Sequence, residues 1–263
     1  SLPVSTAADQ AGVSDSVYRT LEKNGLVVIE AGVVARNPYS ERFVANAELV
    51  LNSEQTEAMI AVREAMEKPC QPILLFGVTG SGKTEIYLRA IREAINHGRT
   101  ALVLVPEIAL TPQTVERFKS RFADMQDNIA VLHSHLSEGE RHDEWHKIHD
   151  GTARIVIGAR SSIFAPLENL GVIIVDEEHE QTFKQQDPAP RYHARDAAIV
   201  LAHSHKAKVV LGSATPSIET YFNAQSGKFG MISIKERFGK APLPEVELVD
   251  LKENYFKKRN IKY

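Results

Sequence analysis

The segment Gly77-Val78-Thr79-Gly80-Ser81-Gly82-Lys83-Thr84 constrains this chain most. It satisfies G-x-x-x-x-G-K-[ST] at every specified position. An apolar run, Ile73–Phe76, precedes it, and a helical pattern over 83–97 follows. Glycines at these positions let successive backbone N–H groups turn inward as an anion nest. The helix that opens at Lys83 turns its positive end toward the same point. A strand, a nest and a helix in that order predict a phosphate cradle at the carboxyl edge of a sheet. Gly77, Val78, Thr79, Gly80, Ser81 and Gly82 would wrap the phosphates of a nucleoside triphosphate. Lys83 would reach the β- and γ-phosphates, and the Thr84 hydroxyl would ligate Mg²⁺.

The rest of the chain repeats this rhythm. Apolar strand candidates lie at Ile73–Phe76, Ala101–Val105, Ile129–Leu132, Arg154–Ile157, Val172–Val175 and Val209–Leu211. Helical patterns fall between them at 53–67, 83–97, 112–123, 137–149, 193–204 and 216–225. The strands are near-continuous Ile, Leu and Val, as required when both sheet faces are covered. This alternation predicts an α/β fold with a mainly parallel sheet.

A phosphate cradle needs an acid at the end of a neighbouring strand. Val172–Val175 runs straight into Asp176-Glu177-Glu178-His179. Asp176 is placed to hold Mg²⁺, and Glu177 to orient or deprotonate the attacking water. Adjacent carboxylates repel one another unless a cation lies among them, so a metal suits this turn.

Composition enters mainly by what it excludes. Net charge is −3, so a nucleic-acid partner would have to be met by local basic patches. No apolar run reaches the ~18–20 residues of a membrane span. Ser-Leu-Pro-Val at the start is no signal peptide. Cys70 is the one cysteine, which rules out an internal disulfide or a cysteine zinc cluster within these residues and suits a reducing, cytoplasmic setting. Residues 1–45 read as helix, short turn, helix, with Ser14 as N-cap, Asn24-Gly25 as stop, and a strand at Leu26–Ile29. That order looks like a winged-helix fragment; a helical hairpin packed on the main domain is the alternative. Residues 241–263 are charged, carry Lys257-Lys258-Arg259, and read as a linker or tail.

His142-Asp143-Glu144-Trp145-His146 imitates a zinc-protease signature but fails it. H-E-x-x-H needs Glu beside the first histidine, and here Glu144 is two positions on. A solvated helix face is the reading for 142–149, with adventitious metal binding at His142 and His146 left open.

Further motifs sit where loops follow strands: Val105-Pro106-Glu107-Ile108-Ala109-Leu110-Thr111-Pro112-Gln113, Gly158-Ala159-Arg160-Ser161-Ser162 and Gly212-Ser213-Ala214-Thr215-Pro216, with Leu51-Asn52-Ser53-Glu54-Gln55 one helix before the cradle. Together with D-E-x-H they resemble the first RecA-like lobe of superfamily 2 helicases. GVTGSGKTEIYL (77–88), LVPEIALTPQ (104–113), GARSSIF (158–164), GVIIVDEEHE (171–180), FKQQ (183–186), RYHARD (191–196) and LGSATPS (211–217) narrow the resemblance to the primosomal replication-restart helicases, over about residues 45–255.

The resemblance implies an ATP-dependent 3′→5′ DNA helicase of replication restart, bacterial, cytoplasmic and nucleoid-associated. It implies a small winged-helix unit over 1–45, a RecA-like lobe over 46–240, and ATP and Mg²⁺ as cofactors. Forked and single-stranded DNA, primosome proteins, single-stranded-DNA-binding protein and replicative-helicase loading factors are the implied partners. Gln55 would touch adenine. His179, Ser213 and Thr215 would couple nucleotide state to DNA, and Arg160 and Ser161 would lie on the DNA backbone. Phe183, Lys184, Arg191, Tyr192, His193 and Arg195 follow the acids directly, so aromatics there could stack on bases while cations meet phosphates; packing within the loop is the other reading for Phe183 and Tyr192. Pro188-Ala189-Pro190 departs from the family, which commonly has another aromatic there. The family's zinc cluster and second lobe are not within these residues, so weak nucleotide binding and poor hydrolysis are expected of the chain alone. Two rival readings remain at this level: a DNA- or protein-docking module whose ATP site is only structural, and a small-molecule kinase.

Overall fold

The structure is a computed structural model that describes residues 4–29, 43–46, 48–68 and 71–237. In chain order the helices are α1 (Val4–Ala11), α2 (Asp15–Lys23), α3 (Ser53–Met66), α4 (Lys83–Asn96), α5 (Pro112–Arg121), α6 (Glu138–His149), α7 (Ala194–His205) and α8 (Ile218–Gln225). The strands are β1 (Ile73–Gly77), β2 (Thr100–Leu104), β3 (Ile129–Leu132), β4 (Ile155–Gly158), β5 (Leu170–Asp176), β6 (Lys184–Gln185), β7 (Tyr192–His193), β8 (Lys208–Ser213) and β9 (Gly230–Ile234). Among the described residues, seven strands form one parallel sheet in the order β3-β4-β2-β5-β8-β1-β9. The short β6–β7 pair is antiparallel and stands apart.

Strand residues alternate between two cores, one on each sheet face. Leu75, Val103 and Ile174 join the helices α3, α4 and α5 on one side. Leu74, Leu102, Leu104, Ile173 and Val175 join Ile148 of α6, Ala194 and Ala198 of α7 and Ala224 of α8 on the other. Burying each such aliphatic side chain contributes about 1.5–3 kcal/mol, which outweighs the small propensity differences along the helices. The all-parallel arrangement sets every strand's carboxyl end on one edge, and the predicted site residues collect there.

Helix starts are written locally. Asn52 and Gln55 form a reciprocal capping box on α3, and Ser137 and Glu140 form another on α6. Thr111 caps α5 ahead of Pro112, and Ser217 caps α8.

Two expectations need correction. β9 was absent from the strand list, yet it pairs in parallel with β1. It is the sheet's last strand, and Met231 and Ser233 face solvent while Ile234 is buried. Leu26–Ile29, read as a strand, is irregular. Leu26 and Val28 are 71% and 82% exposed, and no described strand pairs with them, so nothing there satisfies a ladder. The helix–turn–helix itself is present, tied by the Tyr18 hydroxyl donating to Ala7 O at 3.1 Å. Cys70 and the tail 241–263 lie outside the described residues.

Candidate nucleotide and nucleic-acid site

The loop between β1 and α4 is held open by backbone geometry. Gly80 and Gly82 take φ of +80° and +86°, where a side chain would be strained. A Cβ on Gly82 would also fall 2.4 Å from Gln55 Nε2. Lys83 Nζ donates to Gly77 O at 2.8 Å, so the ammonium waits on a carbonyl across the loop. Ser81 Oγ is buried with no hydrogen-bond partner. An orphaned hydroxyl inside a nest of this shape fits a ligand that brings acceptor oxygens, which a triphosphate does.

Asp176 ends β5 on the far wall. Its Oδ1 accepts from the Tyr87 hydroxyl at 2.9 Å and from Glu177 N at 3.1 Å, which leaves Oδ2 for a ligand. Burial pushes the Asp176 carboxyl above the usual range, against the opposing pull of Tyr87 and Lys83. Burial and the neighbouring Asp176 push Glu177 up as well. Two such carboxyls side by side are the donor set a divalent cation would relieve. Glu177 also sits at φ +47°, an uncommon backbone for a residue with a side chain. Lys83, Thr84, Asp176 and Glu177 line one cleft of about 750 Å³ with Thr79, Gly80, Ser81 and Gly82. The cradle and the acids therefore share a pocket large enough for a nucleotide.

The structure redistributes several predicted roles. Val78 N donates to Ile234 O at 3.3 Å, so that amide fastens the loop to β9 and does not face the nest. Gln55 is buried, its Oε1 accepting from Asn52 N and its Nε2 donating to Ser81 O at 2.8 Å. Its amide thus clamps the phosphate loop at the wall of the cleft. His179 and Ser213 meet at 2.8 Å, Thr215 Oγ1 lies 3.3 Å from His179 Nε2, and Thr215 N donates to Ser213 Oγ. These three are brought together between the acidic turn and the end of β8.

The segment after the acids departs furthest from expectation. Phe183 is 1% exposed and belongs to the core cluster that holds Ala194 and Ala198 of α7. It packs into that core and also lines the cleft of Arg160 and Ser161. Arg195 is held by Glu178 at 3.0 Å, by Asp196 at 2.9 Å and by the Ser217 hydroxyl at 2.7 Å, so it is a structural cation. Tyr192 leans edge-on against Phe164, ring centroids 4.9 Å apart. Lys184 and Arg191 are exposed. Arg160 donates to Thr182 O and Lys184 O, which ties it to this segment. Ser161 and Arg160 line a second cleft of about 530 Å³.

Sequence reasoning missed the residues that join these parts. Glu178 is fully buried and accepts from Ser217 N at 2.7 Å, Thr220 Oγ1 at 2.9 Å and Arg195. Tyr87 is buried against Gly212, where a Cβ would fall 1.5 Å from its hydroxyl oxygen. Glu144, the decoy's acid, is buried on the inner face of α6 and accepts from Val131 N at 2.7 Å, while His142 and His146 are exposed. Their outward placement agrees with a solvated face. Among the described residues, no helix is long and apolar enough to cross a membrane.

Comparison with known proteins converges on one family. Residues 52–223 match the model of the DEAD/DEAH box helicases. The chain is 47% identical over 254 residues to the replication restart protein PriA of Bacillus subtilis and 42% identical over 250 residues to that of Chlamydia pneumoniae. It is covered to 96% and 94% in these matches but spans only 31% and 33% of those relatives. Among solved structures, RecG bound to a three-way DNA junction aligns with a TM-score of 0.55 at 23% identity, covering 81% of this chain and 28% of that one. The DNA-bound DUF1998 helicase MrfA aligns with 0.50 at 17% identity, over 71% and 27%. These two likenesses speak to the fold.

Proposed function

The chain belongs to the DEAD/DEAH box helicase family, and from that premise we propose that it is the nucleotide-binding first lobe of a replication-restart DNA helicase. One observation carries the reading: the Lys83 ammonium and the carboxylates of Asp176 and Glu177 line a single cleft around an open phosphate nest. Such a cleft binds a nucleoside triphosphate by its phosphates, with the α4 N-terminus and Lys83 supplying the positive field. Mg²⁺, when bound, neutralises charge on the β- and γ-phosphates. Thr84 and Asp176 would hold it, and Glu177 would orient the attacking water. Gln55 would offer its remaining N–H or lone pair to adenine.

Coupling follows the described contacts. His179, Ser213 and Thr215 lie between the acidic turn and the loop after β8, so a change at the γ-phosphate has a short path to the DNA-facing edge. Arg160, Ser161, Lys184 and Arg191 would follow the backbone of single-stranded DNA, and Tyr192 would face a base. The reading includes 3′→5′ translocation, action at forked DNA, contacts with primosome proteins, single-stranded-DNA-binding protein and helicase-loading factors, a nucleoid location, and poor turnover until a second lobe completes the ATP site.

The test is Mg²⁺-dependent nucleotide binding by this chain, followed by ATPase of a protein that carries the second lobe. Binding is expected to require Lys83, and turnover is expected to rise with single-stranded and forked DNA above duplex. ATPase that ignores DNA of every form would overturn the helicase reading.

A further inference from the structure

Phe183 is buried at the back of the cleft that Arg160 and Ser161 line, and a more exposed aromatic lines the same cleft. Trp145 projects from α6 with 42% of its surface exposed. It lines the cleft that Arg160 and Ser161 also line, together with Arg141 one turn earlier on the same helix face. His149, a further turn on, stacks under the indole at 5.1 Å with the rings 16° from parallel. The indole is therefore backed by His149 and met at a right angle by His146 at 5.5 Å, which orients it while 42% of the residue stays exposed. The helix beneath is rigid: Ser137 and Glu140 cap it, Ile148 is in the core, and Glu144 is bonded to Val131 N. A pre-oriented ring on a fixed helix loses little freedom on binding.

The chemistry of the cleft selects the partner. Its aromatic walls are Trp145, Phe164 and the buried Phe183, and its arginines are Arg141 and Arg160. Glu107 is the acid, accepting from Ser134 N, so a phosphate must lie toward the arginines. About 530 Å³ with aromatic walls and a few polar groups suits one nucleotide. We infer that α6 forms a wall of the nucleic-acid track, with Trp145 stacking on an unpaired base and Arg141 meeting the adjoining phosphate of a single strand. This rests on the helicase reading but adds a binding element that none of the helicase motifs includes.

Trp145 is the single tryptophan of the chain, which makes it its own reporter. Oligo-deoxythymidylate titrated into the 263-residue chain is expected to quench tryptophan emission, and a duplex of the same length is not. In a labelled-oligonucleotide anisotropy assay, Trp145→Ala is expected to bind about tenfold more weakly, the loss of one stacked base. Trp145→Phe should stay near the parent. Arg141→Ala should lower the salt slope of binding by about 0.7, one phosphate contact on a single strand. Unchanged emission, quenching by duplex alone, or a Trp145→Ala variant that binds like the parent each overturns the inference. If Arg160→Ala still weakens binding in that case, the track stands and only the α6 wall falls. A chain that does not bind single strands at all sinks both.

Discussion

The phosphate cleft and the segment that follows the acidic turn meet at Asp176–Glu178, yet they are held in opposite ways. In the cleft the backbone does the shaping and side chains are left for a ligand. Gly80 and Gly82 set the loop, Ser81 Oγ lacks a partner, and Lys83 rests on a carbonyl it can leave. Beyond the turn the buried charges are already paired with one another. Glu178 is saturated by Ser217, Thr220 and Arg195. The difference separates two jobs. Under the proposed function, a site that binds and releases a triphosphate keeps its donors uncommitted, whereas the frame around it fixes its charges internally.

The sharpest way to break this comparison is at Glu178. Glu178→Ala would take from Arg195 its buried partner, leaving only the exposed Asp196, and remove the acceptor for Ser217 and Thr220. Breaking a buried pair from one side costs about 3–5 kcal/mol. The expected result is a melting temperature lower by roughly 10 °C, read by calorimetry or circular dichroism. A variant that melts with the parent would show that the network contributes nothing to the frame.

Lys83→Ala probes the other side and should behave inversely. The ammonium is bonded to one carbonyl, Gly77 O, so stability should change little. Transition-state electrostatics of this kind are worth about 10²–10³ in rate. ATPase of a two-lobed protein should fall by that factor while the melting temperature holds. A large loss of stability instead would mean that Lys83 belongs to the frame.

How much of this was legible in the sequence follows the same division. The cleft was readable because its parts lie within short windows: eight residues for the cradle, four for the acidic turn, each with a strand before it. The frame was not, because its partners are far apart in the chain. Glu178 meets Ser217 and Thr220, Tyr87 meets Asp176 and Gly212, and Gln55 meets Ser81 only after the sheet forms. Phe183 was open to two readings because it is flanked by polar residues. It shares its core cluster with the small residues Ala194 and Ala198 of α7, a neighbourhood that forms only when the helix packs on the sheet. β9 carries a period-two signal in Met-Ile-Ser-Ile, but four residues are too short to stand out from a loop.

Tyr87 joins the two regions, since it sits in the core and bonds Asp176, the acid proposed to hold Mg²⁺. Tyr87→Phe keeps the ring and removes one hydrogen bond to Asp176. Such a bond to a charged group is worth about 1.5–3 kcal/mol. The Tyr87 hydroxyl opposes the burial that raises the Asp176 carboxyl, so its loss raises that carboxyl further. The ionised form needed for Mg²⁺ then persists only at higher pH. The acid limb of ATPase should move toward higher pH, and half-saturating Mg²⁺ should rise about tenfold. An unshifted limb with unchanged Mg²⁺ dependence would confine Tyr87 to packing.

The smallest expected effect tests whether the exposed cations beyond the frame are available for ligand. Lys184 is exposed on β6, and its backbone carbonyl, not its ammonium, is what Arg160 holds. Removing one phosphate contact on a single strand lowers the slope of log affinity against log salt by about 0.7 and weakens binding by a few-fold at low salt. Lys184→Ala should do this equally for all base sequences, because phosphates carry no sequence information. Phe183→Ala is the matched control, one residue away and buried. It should cost about 3–5 kcal/mol of stability and leave the salt slope untouched. The pair separates cleanly only if frame and ligand surface are distinct sets of side chains. If Phe183→Ala, still folded at low temperature, lowers the slope as Lys184→Ala does, the frame itself reaches the nucleic acid, and the division between committed and uncommitted charge does not hold in this lobe.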